Sequence, residues 1–234
     1  IGGLAGDVLT DADYNVALGV SALGADTLGS KSVALGYSTL TNQNFTTATD
    51  TYNTAVGYTA GSSVTTANQS TLIGALSGDA LTSGHTNTAL GYLTLSADTL
   101  GNQSVAIGTG ALQSQNFTTA TTTYNTAVGV NAGAAITTGT NNTFVGSLAG
   151  DGTDDGLYNV AVGATANTAI GFSALGAATG ATNTAIGYAA MGEGDVSGAG
   201  NASLGYASGY AITSGSNNLC LGSDAGRTGS PGGN

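Results

Sequence analysis

Thirteen acidic side chains and only two basic ones, Lys31 and Arg227, set the chemistry open to this chain of 234 residues. The acids gather in two stretches, Asp7, Asp11 and Asp13, then Asp151, Asp154 and Asp155. Paired carboxylates can cleave glycosides, one as acid and one as base or nucleophile. Loop carboxylates and carbonyls can also hold calcium. Asp151, Asp154 and Asp155 are the best metal candidates, although their spacing matches neither an EF-hand nor the glycine-rich nonapeptide calcium repeat. Asp7, Asp79 and Asp151 lie 72 residues apart, and an acid repeated at a turn reads first as an Asx-turn former. Nucleophilic catalysis needs a base beside the nucleophile. The single histidine, His85, has Asp13 and Leu157 as its counterparts 72 residues away, so it reads as a solvated loop residue. One histidine and one cysteine make no zinc set. Cys220 stands where other repeats carry Ala or Ser and reads as a small packed residue. No phosphate-binding Gly-x-x-x-x-Gly-Lys-Ser/Thr motif is present. The chain therefore reads as non-enzymatic and without a cofactor, calcium being the one ion weighed.

What positions these residues is a repeat. The chain holds 40 glycines, one proline, 6% charged and 41% hydrophobic residues, with a mean hydropathy of +0.15. A short phrase recurs: Asn or Ser, two small or β-branched residues, a large aliphatic, then Gly. Examples are Asn15-Val16-Ala17-Leu18-Gly19, Ser32-Val33-Ala34-Leu35-Gly36 and Asn53-Thr54-Ala55-Val56-Gly57. Its glycines step by 17, 17, 21 and 17 from Gly2 to Gly74, and by the same four intervals from Gly74 to Gly146. The third copy loses this order after Gly163. The four added residues fall in twin phrases, Asn44-Phe45-Thr46-Thr47-Ala48-Thr49 and Asn116-Phe117-Thr118-Thr119-Ala120-Thr121.

A 17-residue unit is too short for a helical-hairpin repeat and suits short strands closed by tight turns. Such units bury their apolar sides only by stacking, about 4.8 Å apart. The expected fold is all-β, a parallel β-solenoid of about thirteen coils over residues 1–228. Its superrepeats cover 2–73, 74–145 and a degenerate 146–228, and 229–234 reads as a linker or tail. Thirteen coils would rise roughly 60 Å. With no polar capping repeat at either end of the stack, the chain reads as a piece of a longer one or as packed with its own copies. The fourth phrase position is always large and aliphatic (Leu18, Leu35, Val56, Ile73, Leu90, Ile107), which argues that it points inward. The second would then also face inward, and the small third position would face out against another surface. Four residues after each phrase glycine stands a residue that alternates in pairs: Leu23 and Leu40, Gly61 and Gly78, Leu95 and Leu112, Gly133 and Gly150. The coil cross-section must therefore vary with the 72-residue period.

Gln103-Ser104-Val105-Ala106-Ile107-Gly108 resembles the Asn-Ser-Val-Ala-Ile-Gly repeat of YadA-like heads in trimeric autotransporter adhesins. The Asn-Thr-Ala-Val-Gly-Tyr form at Asn53 to Tyr58 is similar to repeats in bacteriophage tail fibres. The resemblance covers nearly the whole chain. It implies a left-handed parallel β-roll, three copies around a common axis, and an extracellular place on a virion tail fibre or a bacterial surface. The Tyr-bearing motif and the scarcity of Lys favour the tail fibre, with an adhesin head as the alternative.

Recognition on such a fibre is expected at Tyr37, Tyr58 and Tyr92, which follow phrase glycines, and at Phe45 and Phe117, whose insertions should bulge from the rod. A glycan or protein receptor on a host surface is the expected partner, besides the chain itself. Two cations do not neutralise a phosphate backbone, so nucleic acid is not expected. No run of 18 apolar residues crosses a membrane. Two other classes stand behind the fibre: an ice-binding solenoid, from the threonines at the second phrase position, and a sugar-cleaving tailspike.

Overall fold

The computed structural model describes residues 2–150, 160–162, 167–170, 174, 177–178, 182–192 and 195–226. Among these there is no helix, only short strands and turns. The chain divides into two compact units, Ile1–Val160 and Ala161–Asn234. The division falls where the third superrepeat loses its order.

In the first unit each repeated phrase is a three-residue strand: Val16–Leu18, Val33–Leu35, Thr54–Val56, Thr71–Ile73, Thr88–Leu90, Val105–Ile107, Thr126–Val128 and Thr143–Val145. Each pairs in parallel with the next, phrase position upon phrase position, as in Val16↔Val33, Val33↔Thr54 and Thr54↔Thr71. The 21-residue step leaves the register unbroken, as Val33↔Thr54 and Val105↔Thr126 show. This is a parallel β-solenoid with a spacing of about 17 residues. Its extra residues loop out beside two short parallel pairs, Gly29–Ser30 with Thr49–Asp50 and Gly101–Asn102 with Thr121–Thr122. The second unit repeats the pattern over Thr168–Ile170, Thr184–Ile186, Ala202–Leu204 and Leu219–Leu221.

Three corners close each coil, and all three use left-handed backbone. One precedes the phrase (Tyr14, Lys31, Tyr52, Gln69), one lies two residues after its glycine (Ser21, Ser38, Thr59, Leu76), and one lies four after (Leu23, Leu40, Gly61, Gly78), with φ between 48° and 64°. Non-glycine residues rarely adopt this conformation, at a cost of about 1–2 kcal/mol each. Hydrogen bonds between coils offset that cost. The phrase glycine is a stricter case. Gly57 has φ 140°, and a Cβ there would lie 2.5 Å from the Gly74 carbonyl oxygen of the next coil.

The strands face the opposite way from the expectation. Ala34, Ala55, Leu72, Ala89, Ala106, Ala127 and Phe144, all at the third position, are buried to 1% exposure or less. Leu18, Leu90 and Val145, at the fourth, are 45%, 42% and 39% exposed. The interior is too thin for two large residues per strand, so small third-position side chains line it. The second positions, valine or threonine, and the aliphatic fourth positions share the outer face.

Leu72 and Phe144 explain the paired Leu/Gly alternation. Leu23, Leu40, Leu95 and Leu112 are fully buried at the third corner. In those coils the residue three further on is polar: Asp26, Gln43, Asp98 and Gln115. Behind the corner glycines Gly61, Gly78 and Gly133 that residue is Val64, Leu81 or Ile136. One enlarged third-position side chain per glycine pair fills the space, Leu72 for Gly61 and Gly78 and Phe144 for Gly133 and Gly150, while Ala55 and Ala127 stay small. A Cβ on Gly61 would meet Leu72 Cδ1 at 2.7 Å, and one on Gly133 would meet Phe144 Cδ2 at 2.6 Å. Cys220 does the same before Gly226, its Sγ 2.6 Å from a Cβ placed there. It is a buried packing residue, as its position in the phrase implies.

A double-mutant cycle tests this exchange of volume. Gly61→Leu should cost about 1–3 kcal/mol by overpacking and Leu72→Ala about 2–5 kcal/mol by leaving a cavity. The pair should cost less than their sum in urea unfolding. Strict additivity would show that the two positions do not share space.

Candidate functional site

The outer face of the first unit is a two-column sheet surface. One column runs Val16, Val33, Thr54, Thr71, Thr88, Val105, Thr126, Thr143, and the other Leu18, Leu35, Val56, Ile73, Leu90, Ile107, Val128, Val145. None of these residues is charged, in a chain of net charge −11. Eight strands at about 4.8 Å make a strip about 34 Å long and on the order of 400 Å², the scale at which exposed apolar patches mark interaction sites.

Beyond the phrase glycines the tyrosines stand out from the coil. Tyr37, Tyr58 and Tyr92 are 51%, 58% and 49% exposed. Tyr37 and Tyr58 stack with centroids 5.3 Å apart and planes 9° from parallel. In the second unit Tyr188 and Tyr206 stack likewise at 5.2 Å. Stacking covers one face of each ring.

The insertions depart from expectation. Phe45 and Phe117 do not bulge from the rod. They are 7% and 6% exposed and anchor the insertions from inside, and the exposed residues are Thr46, Thr47 and Ala48, with Thr118, Thr119 and Ala120 in the second copy. What holds each insertion is a buried carboxylate. Asp26 Oδ1 accepts the backbone N–H of Gly29 (3.1 Å) and of Phe45 (3.3 Å), while Oδ2 accepts Gln43 Nε2 at 2.5 Å. Gln43 Oε1 in turn accepts Asn53 Nδ2 at 2.8 Å. The second superrepeat reproduces the set: Asp98 with Gly101, Phe117 and Gln115, and Gln115 with Asn125. Burial pushes the Asp98 carboxyl above its ordinary value, against the opposing pull of the Phe117, Gln115 and Gly101 hydrogen bonds. These networks were missed in the sequence. Their signal was the 72-residue recurrence of Asp-x16-Gln beside the corner leucines.

At the opposite corner Lys31 Nζ lies 2.6 Å from Asp50 Oδ2 and 5.2 Å from the centre of the Tyr52 ring. Asp50 draws the Lys31 pKa up through their hydrogen bond, and Lys31 lowers that of Asp50. The pair is exposed, so it contributes little to stability. His85 is half-buried rather than solvated. Its Nδ1 accepts the Asn68 backbone N–H at 3.2 Å, and its own N–H donates to Asn102 Oδ1 at 2.7 Å. It links three coils. Asp79 Oδ1 is buried without a hydrogen-bond partner, and desolvation raises its pKa. Asp151, Asp154 and Asp155, the expected metal set, and the 229–234 tail lie outside the described residues. Among the described residues no helix is long and apolar enough to cross a membrane.

No protein-family model, curated protein or solved structure matches this chain. The functional reading therefore rests on the surfaces above.

Asp98→Ala leaves two buried N–H groups and an amide unpaired and should cost about 3 kcal/mol. The pH dependence has a definite sign. With its folded pKa raised, Asp98 contributes most below the ordinary aspartate value of 3.8 and loses that contribution as pH rises through the folded value. The stability margin of the wild type over Asp98→Ala, from urea unfolding, should shrink from acid to neutral pH. A margin that grows would reverse the assignment.

Proposed function

We propose that the chain is a segment of a non-enzymatic, homotrimeric attachment fibre on the outside of a virion, of the tail-fibre kind. A bacterial adhesin head built from YadA-like repeats is the alternative host for the same architecture. The observation that carries the proposal is the uncharged, two-column face, valine or threonine in one column and aliphatic throughout the other. A partner that covers it along its length must offer apolar residues at the same coil-to-coil spacing. Another copy of this chain does so by construction. Elsewhere the like charges of two copies repel, whereas this strip lets them approach. Parallel, in-register association then gives a stiff rod whose tyrosines and insertions remain at the rim for a host-surface glycan or protein.

Light scattering after size exclusion checks this directly. The expected mass is three times the 22.3 kDa chain. Ile107→Asp, on the outer face, should lower the mass to that of a monomer while the β circular dichroism persists. Ala106→Asp, in the interior, should abolish the fold. A monomeric wild type removes the proposal.

One observation favours a second reading. Thr54, Thr71 and Thr88 stand outward on three successive strands, and a flat outward threonine array is what an ice-binding solenoid requires. Val16, Val33 and Val105 interrupt it. The fibre reading expects no thermal hysteresis from the purified protein; a measured hysteresis would replace it with ice binding.

A further inference from the structure

The tyrosine column is interrupted once between its rings. Thr59 donates its N–H to the Tyr37 carbonyl, Leu76 to Tyr58, Leu93 to Ala75 and Gly110 to Tyr92. Tyr37, Tyr58, Ala75 and Tyr92 therefore occupy one corner of four successive coils. Tyr58 is held on one side by its stack on Tyr37. On its other side the next coil carries only the methyl group of Ala75, and Tyr92 follows one coil later.

Two coil steps separate the Tyr58 and Tyr92 columns by about 9.6 Å. Carbon contacts on two ring faces, at about 3.5–4.0 Å each, use roughly 7–8 Å and leave roughly 2 Å. A flat aromatic guest would sit loosely there. A puckered saturated ring, which presents C–H groups to both faces, fills it. The residues two before each slot position, Val56, Ile73 and Leu90 at the edge of the outer face, carry no charge, so the rim slot offers no counter-charge and suits a neutral guest.

We propose that Tyr58, Ala75 and Tyr92 form a slot that takes one neutral pyranose between its two tyrosine rings, with Ala75 as the floor. This rests on the attachment-fibre reading for its biological role and names the receptor as a glycan bearing an accessible neutral hexose. Tyr188 and Tyr206 stack on adjacent coils without such a gap and serve as packing.

The test uses saturation-transfer NMR on the whole chain with methyl β-glucopyranoside and methyl β-galactopyranoside. Ring-proton transfer and a millimolar Kd are expected for at least one. Tyr92→Ala should weaken it about tenfold, the loss of one ring face. Ala75→Tyr completes the stack that Tyr37 and Tyr58 begin. It should abolish binding while leaving circular dichroism, solution mass and Tm unchanged or slightly raised. Absence of transfer from both sugars, or binding that survives Ala75→Tyr, overturns the slot. The solution mass separates the two claims: a trimer without sugar binding loses only the slot, and a monomer that binds keeps the slot and loses the fibre.

Discussion

The stacking of this solenoid depends on how most of its coils meet the backbone N–H that follows the first corner. There the preceding residue is left-handed, and no neighbouring carbonyl receives that N–H. The phrase Asn of the preceding coil, or Ser70 in the case of Asn87, supplies the acceptor. Asn15 Oδ1 takes the N–H of Ser32, Asn53 that of Ser70, Asn87 that of Ser104 and Asn125 that of Asn142. Each of these asparagines also donates Nδ2 across the coil, to the carbonyls of Gly29, Ala67, Gly101 and Gly139. One side chain thus pins the corner of its own coil and the start of the next. Asn183, Asn201 and Asn218 continue the device in the second unit. A buried polar group left unpaired is costly, so the ladder punishes any slip in register.

With register held in this way, the interior can vary. The same small cross-section is filled either by a corner leucine with a polar residue beyond it, or by a corner glycine with aliphatics around it. Two coils of each kind alternate. The polar pair does more than fill space, because Asp26 and Asp98 receive the N–H groups that begin the insertions. The 72-residue period is thus the distance between buried carboxylates that can hold a loop. Such fully satisfied networks set where a chain departs from regularity, and they tolerate little change.

The outer surface follows from the same economy of space. A core this thin admits alanine, so the large aliphatics the sequence repeats are left outside. Their regular spacing matches that of a second copy. The corners beyond the glycines carry the more individual residues, where recognition usually resides.

The sequence by itself determined the repeat, its 72-residue superperiod, the all-β parallel stacking and the position of the turns, because each depends on local spacing and on glycine at a crowded corner. It also placed Cys220 correctly as a packing residue, from its position in the phrase. It misjudged which face is the core. Hydrophobicity ranks Leu35 and Ile107 above Ala34 and Ala106, but the width of a coil decides which of them fits inside, and that width emerges only when strands and corners close in three dimensions. For the same reason Phe45 and Phe117 looked like projecting contacts, and the structure turns them inward against carboxylates 19 residues earlier in the chain. The tyrosine slot is likewise a tertiary property: Tyr58, Ala75 and Tyr92 become neighbours only because each coil rests on the last.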